Sequence, residues 1–136
     1  MNRPILIVYQ ASIGISDTLT GALLVVAPQF TLRLMRLYAP GEALPFVSFI
    51  GAFVLSVGLA CLYGAFLMTR RKSRAKLEIV WLLTAITRAS VAIFVIAQIA
   101  SHTLEAGWIT VAFTDGACVL FQAIGLRKGW LAHVAR

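Results

Sequence analysis

The sequence predicts an all-α, polytopic membrane protein: an antiparallel bundle of four transmembrane helices with a short amphipathic interfacial helix after the first span. Hydrophobic residues make up 60% of the chain and charged residues only 12%, whereas a soluble domain carries about 25% charged residues. Several apolar runs are also long enough to cross a hydrocarbon core of about 30 Å as helices. No linker divides the chain, so we expect a single domain over 1–136, with spans at about 4–27, 44–68, 77–100 and 109–126 and the interfacial helix at about 29–38.

The first predicted span is polar in its middle. Pro4 suits the first turn of a helix, where its missing N–H leaves no hydrogen bond unmade. Gln10, Gly14, Asp17 and Gly21 follow at intervals of four, three and four residues, so they share one helix face. Small residues on such a face let a neighbouring helix approach closely.

The segment 29–38, which follows Pro28, has an amphipathic pattern. Its apolar side consists of Phe30, Leu34 and Leu37. Arg33 and Arg36 lie elsewhere on the helical wheel, where they could reach lipid headgroups. A lid over the outer mouth of the bundle is the alternative interpretation.

The remaining spans each carry one distinctive face. In the second span, small and apolar residues repeat at Ser48, Gly51, Leu55, Gly58 and Leu62. In the third, the predicted interior face consists of Trp81, Thr84, Arg88, Val91, Val95 and Gln98. In the fourth, it consists of Val111, Asp115, Cys118, Gln122 and Gly125. Short connections favour antiparallel packing of sequential helices.

Arg88, near the middle of the third span, is the feature that the other helices must accommodate. A cation at that depth costs several kcal/mol unless it faces an anion. Asp17 and Asp115 are the acids well inside other apolar spans, and the long Arg88 side chain can cover part of the depth difference to Asp115. We therefore predict a buried Asp–Arg–Asp cluster, with polar or ligand-site candidates at Asp17, Arg88, Asp115, Gln10, Thr84 and Gln122. Whether it is a structural ion-pair cluster or a ligand or proton site stays open.

The distribution of basic residues predicts the orientation. Of the cations outside the spans, nine lie on the side of both termini and the 69–76 loop: Arg3, Arg70, Arg71, Lys72, Arg74, Lys76, Arg127, Lys128 and Arg136. Only Arg33 and Arg36 lie on the other side. Because Lys and Arg concentrate in cytoplasmic loops, we expect both termini to be cytoplasmic, in an inner (plasma) membrane. The same topological role accounts for the net charge of +7, so we expect no nucleic-acid partner.

The sequence gives little support for a disulfide, a metal or cofactor site, or a catalytic site. Cys61 and Cys118 fall inside apolar helices and are predicted to be thiols. His102 and His133 lie outside the spans and far apart in sequence, so we expect neither a metal site nor a cofactor. No catalytic motif is present, and we assign no catalytic residue.

Several short features together resemble a known family. They are the Pro28-Gln29-Phe30 break, the Phe49-Ile50-Gly51 opening of the second span, Arg88 and Asp115. In these the chain is similar to the small bacterial DoxX-like four-helix membrane proteins. The resemblance implies a four-helix fold and a role as an accessory or assembly subunit of a membrane redox system.

The leading functional hypothesis is a non-catalytic bundle that binds a partner subunit or a small lipophilic ligand in the bilayer. The first alternative is a proton- or cation-coupled small transporter using Asp17, although Arg88 would neutralise its coupling carboxylate. The second is a membrane enzyme acting on an isoprenoid or quinone, with Asp17 or Asp115 as acid or base. The lipid bilayer is the expected environment in every case, and homo-oligomerisation stays open.

Overall fold

A computed structural model describes residues 2–70 and 74–133, and its regular structure is helical throughout. The helices are α1 (Arg3–Val26), α2 (Pro28–Leu34), α3 (Leu44–Thr69), α4 (Arg74–Ala100) and α5 (Ile109–Arg127). Short 3-10 turns occupy Gly41–Ala43, Ala106–Trp108 and Trp130–His133. The all-α prediction is therefore confirmed for the described residues, and each predicted span coincides with one long helix.

Within the described residues, three segments are long and apolar enough to cross a membrane: Gly41–Thr69, Arg74–Ala100 and Ala106–Arg127. Large apolar side chains cover their outer faces; Phe46 is 71% exposed, Ile93 68% and Phe113 78%. Lipid tails solvate such side chains as well as a protein core does. These features indicate a multi-pass membrane protein. The 24 residues of α1 would also reach across a bilayer, but α1 is not among the three segments because its middle is polar.

The chain divides into two compact units, one from Asn2 to Phe66 and one from Leu67 onward. The first contains α1, α2 and most of α3. The second contains α4, α5 and the 3-10 turn after α5. That the two units form one four-helix domain stays a prediction.

Glycines bring α1 and α3 into close contact within the first unit. A Cβ atom on Gly21 would overlap the backbone nitrogen of Leu55, and one on Gly14 would lie 2.9 Å from the backbone nitrogen of Leu62. Residue numbers therefore rise along α1 as they fall along α3, so the helices are antiparallel. A Cβ on Gly58 would likewise overlap the backbone of Thr18. The two small-residue faces predicted from the spacing meet each other, as the rule for close helix approach requires.

The segment after α1 is shorter than predicted. Pro28 begins α2, and the helix ends at Leu34 rather than near residue 38. Arg36 has a φ of 57°, and the Leu37 N–H donates to the Leu32 carbonyl over 2.8 Å. This pairing closes the helix end in a Schellman-type turn. The prediction that Leu37 continues the helical face of Phe30 and Leu34 is therefore wrong, because the helix ends before Leu37.

The second unit is built on an antiparallel pair, α4 and α5. The buried residues of α4 are Leu77, Trp81, Thr84, Arg88, Ala92 and Val95. Those of α5 are Ala112, Cys118, Gln122 and Gly125. The predicted faces are correct to within one residue. Ala92 replaces Val91, which is 38% exposed, and Ala112 replaces Val111; at both positions the smaller side chain takes the buried place.

An aromatic cluster fixes the chain after α5. Gly129 has a φ of 62°, in the left-handed region that glycine enters without strain. The turn there lets Trp130 pack edge-on against Phe121, with ring centroids 5.4 Å apart. Trp81 lies 6.1 Å from Phe121, and a Cβ on Gly125 would come within 2.5 Å of the Trp81 ring. Gly125 is thus the position that admits the indole between the helices.

Candidate functional site

An ion pair between Arg88 and Asp115 lies in the α4–α5 interface. The Arg88 Nη1 donates to the Asp115 Oδ1 over 2.5 Å, and the two side chains are only 5% and 14% exposed. Trp81 packs at Gly125 and Thr84 bonds Gln122, so the antiparallel register places Arg88 level with Cys118. The guanidinium therefore extends about one helical turn along the interface to reach Asp115. This confirms the predicted pairing of these two residues across the depth difference.

Thr84 and Gln122 form a second polar contact one turn away. The Gln122 Nε2 donates to the Thr84 Oγ1 over 2.9 Å, and the Thr84 hydroxyl donates to the Val80 carbonyl over 2.8 Å. Both side chains are buried, Gln122 to 1% exposure. The structure thus brings together four of the six predicted site residues.

The side-chain carbonyl of Gln122 is a buried acceptor in this interface. Its Oε1 is buried, and no hydrogen-bond donor reaches it from the described part of the chain. A buried acceptor without a partner costs about 1–3 kcal/mol. The sequence predicted Gln122 as a polar residue of the interior face, but a single amide in a helix gives no signal of which of its two ends is satisfied.

The other two predicted residues, Gln10 and Asp17, belong to the first unit. The Gln10 Nε2 donates to the backbone carbonyl of Cys61 over 3.2 Å, so it joins α1 to α3. Asp17 is half-buried, and its backbone lies against α3 at Gly58. Its membership of a cluster with Arg88 stays a prediction.

The chemistry available to the α4–α5 interface follows from these pairings. Asp115 is engaged by the guanidinium of Arg88, so the two charges of the interface compensate each other. The amide nitrogen of Gln122 is engaged, whereas its carbonyl oxygen can still accept a hydrogen bond. Over residues 2–70 and 74–133, no three His, Cys, Asp or Glu side chains are grouped to hold a metal ion. Cys61 and Cys118 are buried thiols, and His102 is exposed in the loop after α4.

Three residues used for the orientation, Arg71, Lys72 and Arg136, lie outside the described residues, as does the side chain of His133. The other cations of the nine-residue set are within the described ranges. They lie at the start of α1, at the junction of α3 and α4, and at the end of α5. The orientation itself stays a prediction.

No protein-family model, curated protein or solved structure matches the chain.

Proposed function

We propose that the protein is a non-catalytic, four-span membrane protein that binds a small lipophilic ligand or a partner subunit inside the bilayer. The observation that carries the ligand form of this proposal is the buried, unsatisfied Oε1 of Gln122. An apolar molecule with one hydroxyl or N–H group would supply the missing donor. Close packing of its apolar body against the helices, together with this hydrogen bond, would provide the binding free energy.

The polar groups around Gln122 support a binding role over a catalytic one. Arg88 and Asp115 compensate each other at 2.5 Å, so neither is poised as a lone acid, base or nucleophile. Thr84 fixes the amide of Gln122 through its nitrogen. The amide therefore has a set orientation, with its acceptor end available, which is how a few placed polar groups select a ligand in an otherwise apolar site.

The proposal includes the predicted topology and family. The nine-to-two distribution of cations supports four spans with both termini in the cytoplasm, and the DoxX-like resemblance adds a bacterial inner membrane. Under this topology α2 is interfacial, and the exposed Phe30 and Leu34 face lipid. The DoxX-like resemblance implies an accessory subunit of a membrane redox system, with a quinone-like or isoprenoid molecule as the matching ligand class.

Native mass spectrometry of the purified protein tests the ligand. We expect a co-purified small molecule bound to the wild type and lost in Gln122→Leu, which removes the acceptor. Gln10→Leu is the matched control: it makes the same replacement at a buried glutamine of the α1–α3 pair and keeps both Gln122 and Thr84, so it should retain the adduct. An adduct of equal intensity in Gln122→Leu, or none in the wild type together with no co-purifying subunit, would overturn the proposal.

A further inference from the structure

A groove opens at the end of the α4–α5 pair where α4 begins and α5 ends. It has a volume of about 440 Å³ and is lined by Ala75, Glu78, Ile79, Leu82 and Leu126. Four of these five side chains are apolar. Ile79 is 56% exposed and Leu82 51%, so the groove is accessible from the outer face of the helices. It is separate from the Gln122 level, which lies about one turn deeper along α5.

Basic residues lie next to the lining residues of this groove in the chain. Arg74 and Lys76 flank Ala75 at the start of α4, and Arg127 and Lys128 directly follow Leu126 at the end of α5; all four are exposed. The opposing charge in the lining is Glu78, and the Arg74 Nε holds its Oε1 at 2.6 Å. After that pair is neutralised, Lys76, Arg127 and Lys128 leave an excess of positive charge at the mouth of an apolar groove.

We propose that this groove is a binding site for an anionic phospholipid. An acyl chain would lie against Ile79, Leu82 and Leu126, and the phosphate would lie among Lys76, Arg127 and Lys128. The complementarity has two parts, since an uncharged lipid would leave the cations unmatched and a soluble anion would leave the apolar lining bare. Basic pockets between membrane helices near the headgroup level select anionic lipids by this combination. The site is independent of the ligand proposed at Gln122.

The test titrates phosphatidylglycerol or phosphatidylcholine into the full-length protein in detergent and follows the melting temperature and the tryptophan fluorescence. The wild type should bind phosphatidylglycerol at least tenfold more tightly than phosphatidylcholine. Arg127→Gln with Lys128→Gln should weaken that binding roughly 25-fold, because each of the two cations near an anionic surface contributes about fivefold. Arg33→Gln with Arg36→Gln removes the same charge elsewhere and should leave the affinity unchanged.

A second variant tests the groove rather than the charge. Leu82→Trp adds bulk at a side chain that is half-exposed, so the fold should be kept, as an unchanged melting temperature in phosphatidylcholine will show. It should abolish the preference for phosphatidylglycerol. The proposal is overturned if the Arg127/Lys128 variant binds phosphatidylglycerol like the wild type, or if Leu82→Trp binds it normally. Competition by millimolar inorganic phosphate would also overturn it, since a free anion would then be the true ligand.

Discussion

Neutralising Asp115 should expose the cost of a buried guanidinium. Asp115→Asn keeps the size of the side chain, so it creates no cavity, but it removes the anion that faces Arg88 at 2.5 Å. Arg88 is 5% exposed near the middle of α4 and cannot recover its hydration without a change in the helix packing. The substitution thus isolates the electrostatic part of the α4–α5 interface.

The size of the effect follows from the burial. Breaking a buried ion pair by removing one partner costs about 3–5 kcal/mol, and the 14% exposure of Asp115 places the expected loss near the lower end, about 3 kcal/mol. Arg88→Met alone should cost a similar amount. The double variant should lose about 2 kcal/mol less than the sum of the two, because replacing both charges leaves neither one unmatched.

The free energy of unfolding would be measured by denaturant titration in mixed micelles, with tryptophan fluorescence as the signal. Glu78→Gln is the matched control. Its pair with Arg74 has a similar length, 2.6 Å, but side-chain exposures of 36% and 53%, so the loss should stay below about 1 kcal/mol. Additivity of the Arg88 and Asp115 substitutions to within about 0.5 kcal/mol, or an equal loss for Glu78→Gln, would refute the reasoning.

Three further predictions concern packing and topology. Gly21→Ala should cost about 1–3 kcal/mol of unfolding free energy because the new methyl overlaps the α3 backbone. The control, Gly116→Ala, should be neutral or stabilising, since a Cβ there has nothing within 4 Å. Equal effects of the two substitutions would contradict the close α1–α3 contact. Gly125→Ala should displace the indoles packed on it and shift the tryptophan emission maximum, and an unchanged spectrum would count against the aromatic cluster. Reporter fusions should be cytoplasmic at Lys72 and external at Gly107, and a cytoplasmic signal at Gly107 would refute the four-span topology.

Periodicity determined which side of each helix is polar or small, because residues three and four apart share a face whatever the helix packs against. For this reason the glycine faces of α1 and α3 could be predicted, and the Arg88–Asp115 pair could be found from depth and charge alone. The same rule locates the buried face of a helix only to within one residue. Val91 and Ala92 lie almost equally near the centre of the buried face of α4, and the sequence pattern does not indicate which of them is buried.

Helical periodicity does not indicate the family or the function. The resemblance to the DoxX-like group uses short motifs scattered over four helices, and polar residues inside a membrane protein serve structure and binding alike. The proposed ligand site at Gln122 became visible only when its two polar ends could be distinguished. One end bonds Thr84, and the other meets no donor in the described chain.

By itself, the sequence determined that the chain is helical and membrane-embedded, where its helices begin and end to within a few residues, and which faces turn inward. These properties depend on local composition and helical period. Only the tertiary structure decided that Thr84 bonds Gln122, that alanines rather than valines are buried at Ala92 and Ala112, and that the chain turns at Arg36 with a positive φ. The first two depend on how closely two helices approach and in which register, and that is set by contacts between residues far apart in the chain. The turn at Arg36 is local, but no glycine or asparagine marks it in the sequence.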